Sequence, residues 1–136
     1  MKKQLRLMTM MGLVVLAAGI TMSYAQQPEK KLGWHLSAQT YTFNRFTFFE
    51  AVDKTLQAGL NSVEAYPGQE LGGGLEGVMD YNMDAAQRKA ILRALKKKNV
   101  KLCAFGVVNG NTEEEWKQIF EFAKAMGVKV INSELD

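Results

Sequence analysis

Residues 47–66 read TFFEAVDKTLQAGLNSVEAY, and the architecture follows from how they divide. Thr47 and Glu50 have the spacing of a reciprocal helix N-cap, in which each side chain bonds the other's backbone N–H. Phe49, Val52 and Leu56 then fall on one face of a helix, while Asp53, Lys54 and Gln57 fall on the opposite one. Gly59 supplies the left-handed residue that stops the helix. After it, Ser62 to Tyr66 is a short apolar run of the kind found in a strand covered on both faces.

The same unit recurs twice. Asp84 with Gln87 and Thr112 with Glu115 open two further helices, and Asn99 and Gly127 stop them. Ala90, Ile91, Ala94 and Leu95 make the second apolar stripe; Trp116, Ile119, Phe120, Ala123 and Met126 make the third, with Trp116 assigned to the core. The stops lead into Leu60-Asn61-Ser62-Val63, Val100-Lys101-Leu102-Cys103 and Val128-Lys129-Val130-Ile131, three near-repeats. Four strands are expected: Leu36 to Phe43, Ser62 to Tyr66, Leu102 to Val108 and Val130 to Ser133. Helices alternating with short buried strands require parallel pairing and right-handed crossovers, hence an α/β fold. A doubly wound sheet and a (β/α) barrel share this alternation. Thr42-Phe43-Asn44-Arg45-Phe46 carries no glycine-rich turn after the first strand, which argues against a dinucleotide-binding open sheet.

The N-terminus has the three zones of a signal peptide. Lys2, Lys3 and Arg6 precede an apolar stretch from Leu7 to Met22, and Ser23-Tyr24-Ala25 offers cleavage after Ala25. Thr9, Gly12, Gly19 and Thr21 dilute that stretch below what a spanning helix needs, so stable membrane anchoring after cleavage is not expected. The expected organisation is a signal peptide over 1–25, a linker over 26–33 and a folded part over 34–136, in the periplasm or secreted. The chain ends at the mouth of the fourth strand without a covering helix, which reads as truncation. Three of the 17 basic residues belong to the export segment, leaving 14 basic against 14 acidic residues. That balance lacks the basic excess of a nucleic-acid-binding surface. Lys96-Lys97-Lys98 reads as a solvated last helical turn. Cys103 has no partner for a disulfide and reads as core.

In parallel α/β folds ligands bind at the C-terminal ends of the strands. The segments there combine aromatic rings with amides and carboxylates, a mixture suited to sugars, whose C–H faces stack on rings while hydroxyls bond polar groups. The candidate substrate-binding residues are Gln39, Tyr41, Phe43, Tyr66, Gln69, Asn109 and Asn132, with Phe46 near them. Glu64, on a buried strand, is either a hydroxyl-binding or general-base carboxylate or one half of a buried ion pair. Glu134 reads as its counterpart on the fourth strand and, with Asn132 and Asp136, as an oxygen ligand for a divalent metal. His35 falls at the floor of the sheet as a structural residue. Gly72-Gly73-Gly74 lacks a phosphate-loop tail, and 69–83 is long enough for a mobile lid.

The run Ala38-Gln39-Thr40-Tyr41-Thr42-Phe43, the strand Ser62-Val63-Glu64-Ala65-Tyr66-Pro67-Gly68-Gln69 and the helix end Ala125-Met126-Gly127-Val128-Lys129 resemble the exported sugar phosphate isomerase/epimerase proteins of the xylose-isomerase-like TIM-barrel superfamily. The resemblance runs from Gly33 to Asp136. It implies an eight-stranded barrel of which this is the N-terminal half, and an isomerase or epimerase acting on a sugar. It also implies a divalent metal (magnesium, manganese or zinc-like) in the full-length protein, with Glu64 and Glu134 as catalytic carboxylates and Glu134 also as metal ligand. The fragment alone is expected to be inactive. Hydrolysis or lyase chemistry on an oxidised sugar, and a non-catalytic carbohydrate-binding half-barrel, are the alternatives; the oligomeric state is left open.

Overall fold

The computed structural model describes residues 28–134. The signal peptide expected over 1–25, and Asp136 as a candidate ligand, lie outside the described residues. Two compact units divide the chain at His35 and Leu36. In the first, Pro28–Lys31 (α1) forms one helical turn within the expected linker, closed by the Trp34 N–H donating to the Glu29 carbonyl at 2.8 Å. His35 belongs to this unit and is exposed, not a structural residue of the sheet floor.

The second unit is an α/β fold. Its strands are Ala38–Gln39 (β1), Ser62–Ala65 (β2), Glu70–Gly72 (β3), Leu75–Val78 (β4), Lys101–Phe105 (β5) and Val130–Ile131 (β6). Its helices are Phe48–Gln57 (α2), Ala85–Lys97 (α3) and Glu113–Met126 (α4). β1, β2, β5 and β6 form one sheet in that order, and every neighbouring pair is parallel. The expected alternation is therefore present, although each strand is shorter than the sequence suggests.

The first strand departs most. Only Ala38 and Gln39 pair, opposite Val63 and Glu64, and Thr40–Phe43 coils into a 3-10 turn. The turn buries Thr40 completely, and an extended strand would have alternated its side chains instead.

The caps explain the helix boundaries. Thr47 with Glu50 and Asp84 with Gln87 form complete reciprocal caps. Thr112 completes only its half, because the Glu115 carboxylate accepts from the Asn111 N–H at 2.5 Å instead. Gly59, Asn99 and Gly127 take the left-handed conformation that ends each helix, with φ of 81°, 54° and 70°.

The core lies between the helices and one face of the sheet. Val63 and Ala65 of β2, Phe105 of β5, Phe48 and Val52 of α2, Ile91 of α3, and Ile119 and Phe122 of α4 are all fully buried. Phe105 and Phe122 stack with ring centroids 4.7 Å apart. Burying each of these side chains other than Ala65 stabilises the fold by about 1.5–3 kcal/mol. The α4 stripe is rotated from the expected one: Phe122 takes the core position and Phe120 is 58 % exposed. Trp116 is half-buried at the margin, packed on Gly110.

The segment expected to be a lid is instead an antiparallel hairpin of β3 and β4 anchored in the core. Leu71 and Met79 are fully buried, and Met83 nearly so. Gly73 lies so close to α2 that a Cβ there would come within 2.7 Å of the Phe49 ring. The glycine run serves a turn with positive φ and this close approach.

Candidate functional site

The alternation of β2 builds the site. Val63 and Ala65 go into the core, so Glu64 projects from the opposite face near the C-terminal end of the sheet. Gln39, its register partner on β1, donates from Nε2 to Glu64 Oε1 at 3.1 Å. Asn132, the first residue after β6, donates from Nδ2 to the same oxygen at 2.7 Å. Two amides, from the ends of two other strands, thus converge on one carboxylate. Among the described residues the second oxygen, Oε2, accepts no hydrogen bond and is left for a further donor. The partners of Glu64 are two neutral amides, not the buried ion pair that the sequence left open.

Asn132 must reach across β5 to meet Glu64, and the sequence of β5 permits it. Ala104, in register with both Glu64 and Val130, offers only a methyl group. Gly106 follows with φ of 153°, and a Cβ there would lie 2.8 Å from the Asn132 Cβ and against its carbonyl oxygen. The backbone closes around this point: the Asn132 N–H donates to the Phe105 carbonyl, and the Asn132 carbonyl accepts from the Val108 N–H, both at 3.0 Å. Gly106 was the contributor least visible in the sequence; the Phe-Gly pair ending a buried strand was its only signal.

The aromatic component sits at the same strand ends. Tyr41 and Tyr66 meet edge to face with centroids 5.0 Å apart, and Tyr41 is 57 % exposed. Burial, and secondarily the neighbouring Tyr41 hydroxyl, hold the Tyr66 phenol above its ordinary pKa of 10.0, so it stays a neutral donor at physiological pH. Phe43 is half-buried in the 3-10 turn.

The remaining candidates have other placements. Gln69 is only 2 % exposed, and its Nε2 donates to the Phe46 carbonyl at 3.1 Å, tying the hairpin to the loop before α2. Asn109 links two loops, its Oδ1 accepting from the Ser133 hydroxyl at 2.6 Å and from the Glu134 N–H at 3.2 Å. Glu134 itself lies beyond β6 with its side chain exposed, so it is not the counterpart of Glu64. Cys103 is half-buried, 3.1 Å from the Ser37 hydroxyl and donating to the Val63 carbonyl at 3.2 Å. Among the described residues no three His, Cys, Asp or Glu side chains gather to hold an ion. A divalent metal needs more oxygen ligands than Glu64 and Glu134 present here, so the residues described do not by themselves fit one.

No family model matches the chain, and no curated protein matches it. Among solved structures, it is similar to the crystal structure of an uncharacterised protein from Parabacteroides distasonis ATCC 8503, with 34% sequence identity and a TM-score of 0.70. The likeness covers 74% of this chain and 44% of that one, so this chain spans less than half of that protein's length.

Proposed function

We propose that this chain is the N-terminal part of a xylose-isomerase-like barrel, exported to the periplasm or secreted, whose whole protein is a sugar or sugar phosphate isomerase or epimerase. The carrying observation is the Glu64 carboxylate, held on one oxygen by Gln39 and Asn132 and, among the described residues, accepting no hydrogen bond on the other, with the Tyr41–Tyr66 pair at the same end of the sheet. Two amides fix the carboxylate's orientation and leave Oε2 to accept a substrate hydroxyl, or a proton from the carbon beside a carbonyl. The tyrosines offer a ring face and a phenol edge to the C–H and O–H faces of a sugar. In this reading the described part contributes binding and one proton-accepting group, and the chain alone turns over no substrate.

The test is binding, measured by two-dimensional NMR of the labelled chain against a panel of aldoses, ketoses and their phosphate esters. The expected result is saturable shifts confined to Gln39, Tyr41, Glu64, Tyr66 and Asn132. Glu64→Gln should weaken binding roughly tenfold or more, since hydrogen bonds to a charged acceptor contribute about 1.5–3 kcal/mol. Shifts that map elsewhere, or equal binding by Glu64→Gln, would overturn it.

A further inference from the structure

A second surface, unconnected with the strand ends, lies on the outer flank of α4. Trp116 and Phe120, one helical turn apart, stack with centroids 6.0 Å apart, and Phe120 is largely exposed. They share an open face of the helix with Glu113, Lys117, Glu121 and Lys124. All six belong to α4, so among the described residues one helix alone makes this face. An aromatic pair within a charged rim has the arrangement of a small interface, aromatic at its centre and polar at its edge.

The order of the charges selects the occupant. Along the helix they run acidic, basic, acidic, basic, at Glu113, Lys117, Glu121 and Lys124. Consider two copies of this helix packed antiparallel about a two-fold axis that crosses between Gln118 and Ile119. Glu113 then stands opposite the partner's Lys124. Lys117 stands within one residue's rise, about 1.5 Å, of the partner's Glu121. Symmetry doubles both pairings, and Trp116 and Phe120 of each copy flank the axis. A two-fold interface requires a patch that complements itself, and this patch does so in both charge and apolar content.

We propose that the outer face of α4 is a self-association surface through which two copies of this chain pair antiparallel. A 14-residue helix is only about 21 Å long. One helix pair therefore buries less than the roughly 800 Å² per partner of a standard interface. The dimer should accordingly be weak and concentration-dependent, with a Kd of roughly 10–500 µM.

Sedimentation equilibrium of the full chain over that range tests this. The expected result is a monomer–dimer equilibrium that Phe120→Ser weakens more than about tenfold, as removal of a central aromatic anchor does. Lys117→Glu alone, and Glu121→Lys alone, should each weaken it several-fold. The double variant Lys117→Glu/Glu121→Lys should restore the wild-type Kd to within about twofold, because it inverts both members of the two Lys117–Glu121 pairs and leaves the Glu113–Lys124 pairs unchanged. Circular dichroism melts confirm that every variant is folded, and the double variant keeps the charges exchanged within the helix. A monomer at all concentrations would overturn the proposal. So would a dimer indifferent to Phe120→Ser, or one that the double charge exchange fails to restore, since the face would then serve a different occupant.

Discussion

Glu64 and Glu134 stand at the ends of two strands of one parallel sheet, and each invites reading as a site carboxylate. Their surroundings differ completely. Glu64 is gripped by amides from two other strand ends, whereas Glu134 is exposed and contributes its backbone N–H to a loop contact with Asn109. A strand end becomes a site when its neighbours supply donors that converge there. The neighbours, not the carboxylate, carry that information.

The contrast can be broken most severely through the scaffold that brings the neighbours together. Leu71→Ala, in the hairpin beside α2, should cost about 2–5 kcal/mol in urea unfolding if the hairpin is core and not lid; a cost under about 0.5 kcal/mol would return it to the surface. Gly106→Ala comes next. It forces a Cβ into the Asn132 backbone at an unfavourable φ and should cost about 2–3 kcal/mol. The local signature would be displaced Asn132 and Glu64 resonances.

Asn132→Ala should cost about 1–3 kcal/mol, because it removes a donor from a charged acceptor, while Glu134→Gln should change stability by less than about 0.5 kcal/mol. Equal effects from these two would erase the distinction between the strand ends. A further effect concerns acid. The Thr47 backbone N–H and hydroxyl hold the Glu50 carboxyl below its ordinary value of 4.5, with Lys54 assisting against a small opposing effect of burial. A lowered folded value means that the contribution is present above about pH 4.5 and is lost as pH falls through the folded value. Thr47→Ala should cost about 1 kcal/mol, chiefly through the lost cap acceptor for the Glu50 N–H, which does not titrate; the gap from wild type should narrow only slightly in acid, because the backbone N–H at position 47 still reaches the Glu50 carboxylate.

The fold was legible because its determinants are local. Caps at Thr47 and Asp84 and left-handed stops at Gly59, Asn99 and Gly127 are short-range chemistry, and they place the helices; the alternation of helix and strand then requires the parallel pairing seen in the sheet. What was not legible depends on distant packing. Thr40–Phe43 has the composition of a strand, yet it coils into a 3-10 turn with Thr40 buried, which its residue types do not signal. Phe120 and Phe122 are equally apolar, and only the seating of α4 against Phe105 decides which is buried. Glu64, Gln39 and Asn132 each stood out by type, but their convergence depends on small residues at Ala104 and Gly106, which no spacing rule selects.

The most direct measurement is the side-chain amide spectrum of Gln39 and Asn132 in the wild type and in Glu64→Gln. If the amides of two strand ends hold this carboxylate, both NH2 pairs should be dispersed from the free-amide position in the wild type and shift together in the variant. Two amide pairs at the solvent-exposed position, unmoved by the substitution, would show that the three residues do not meet.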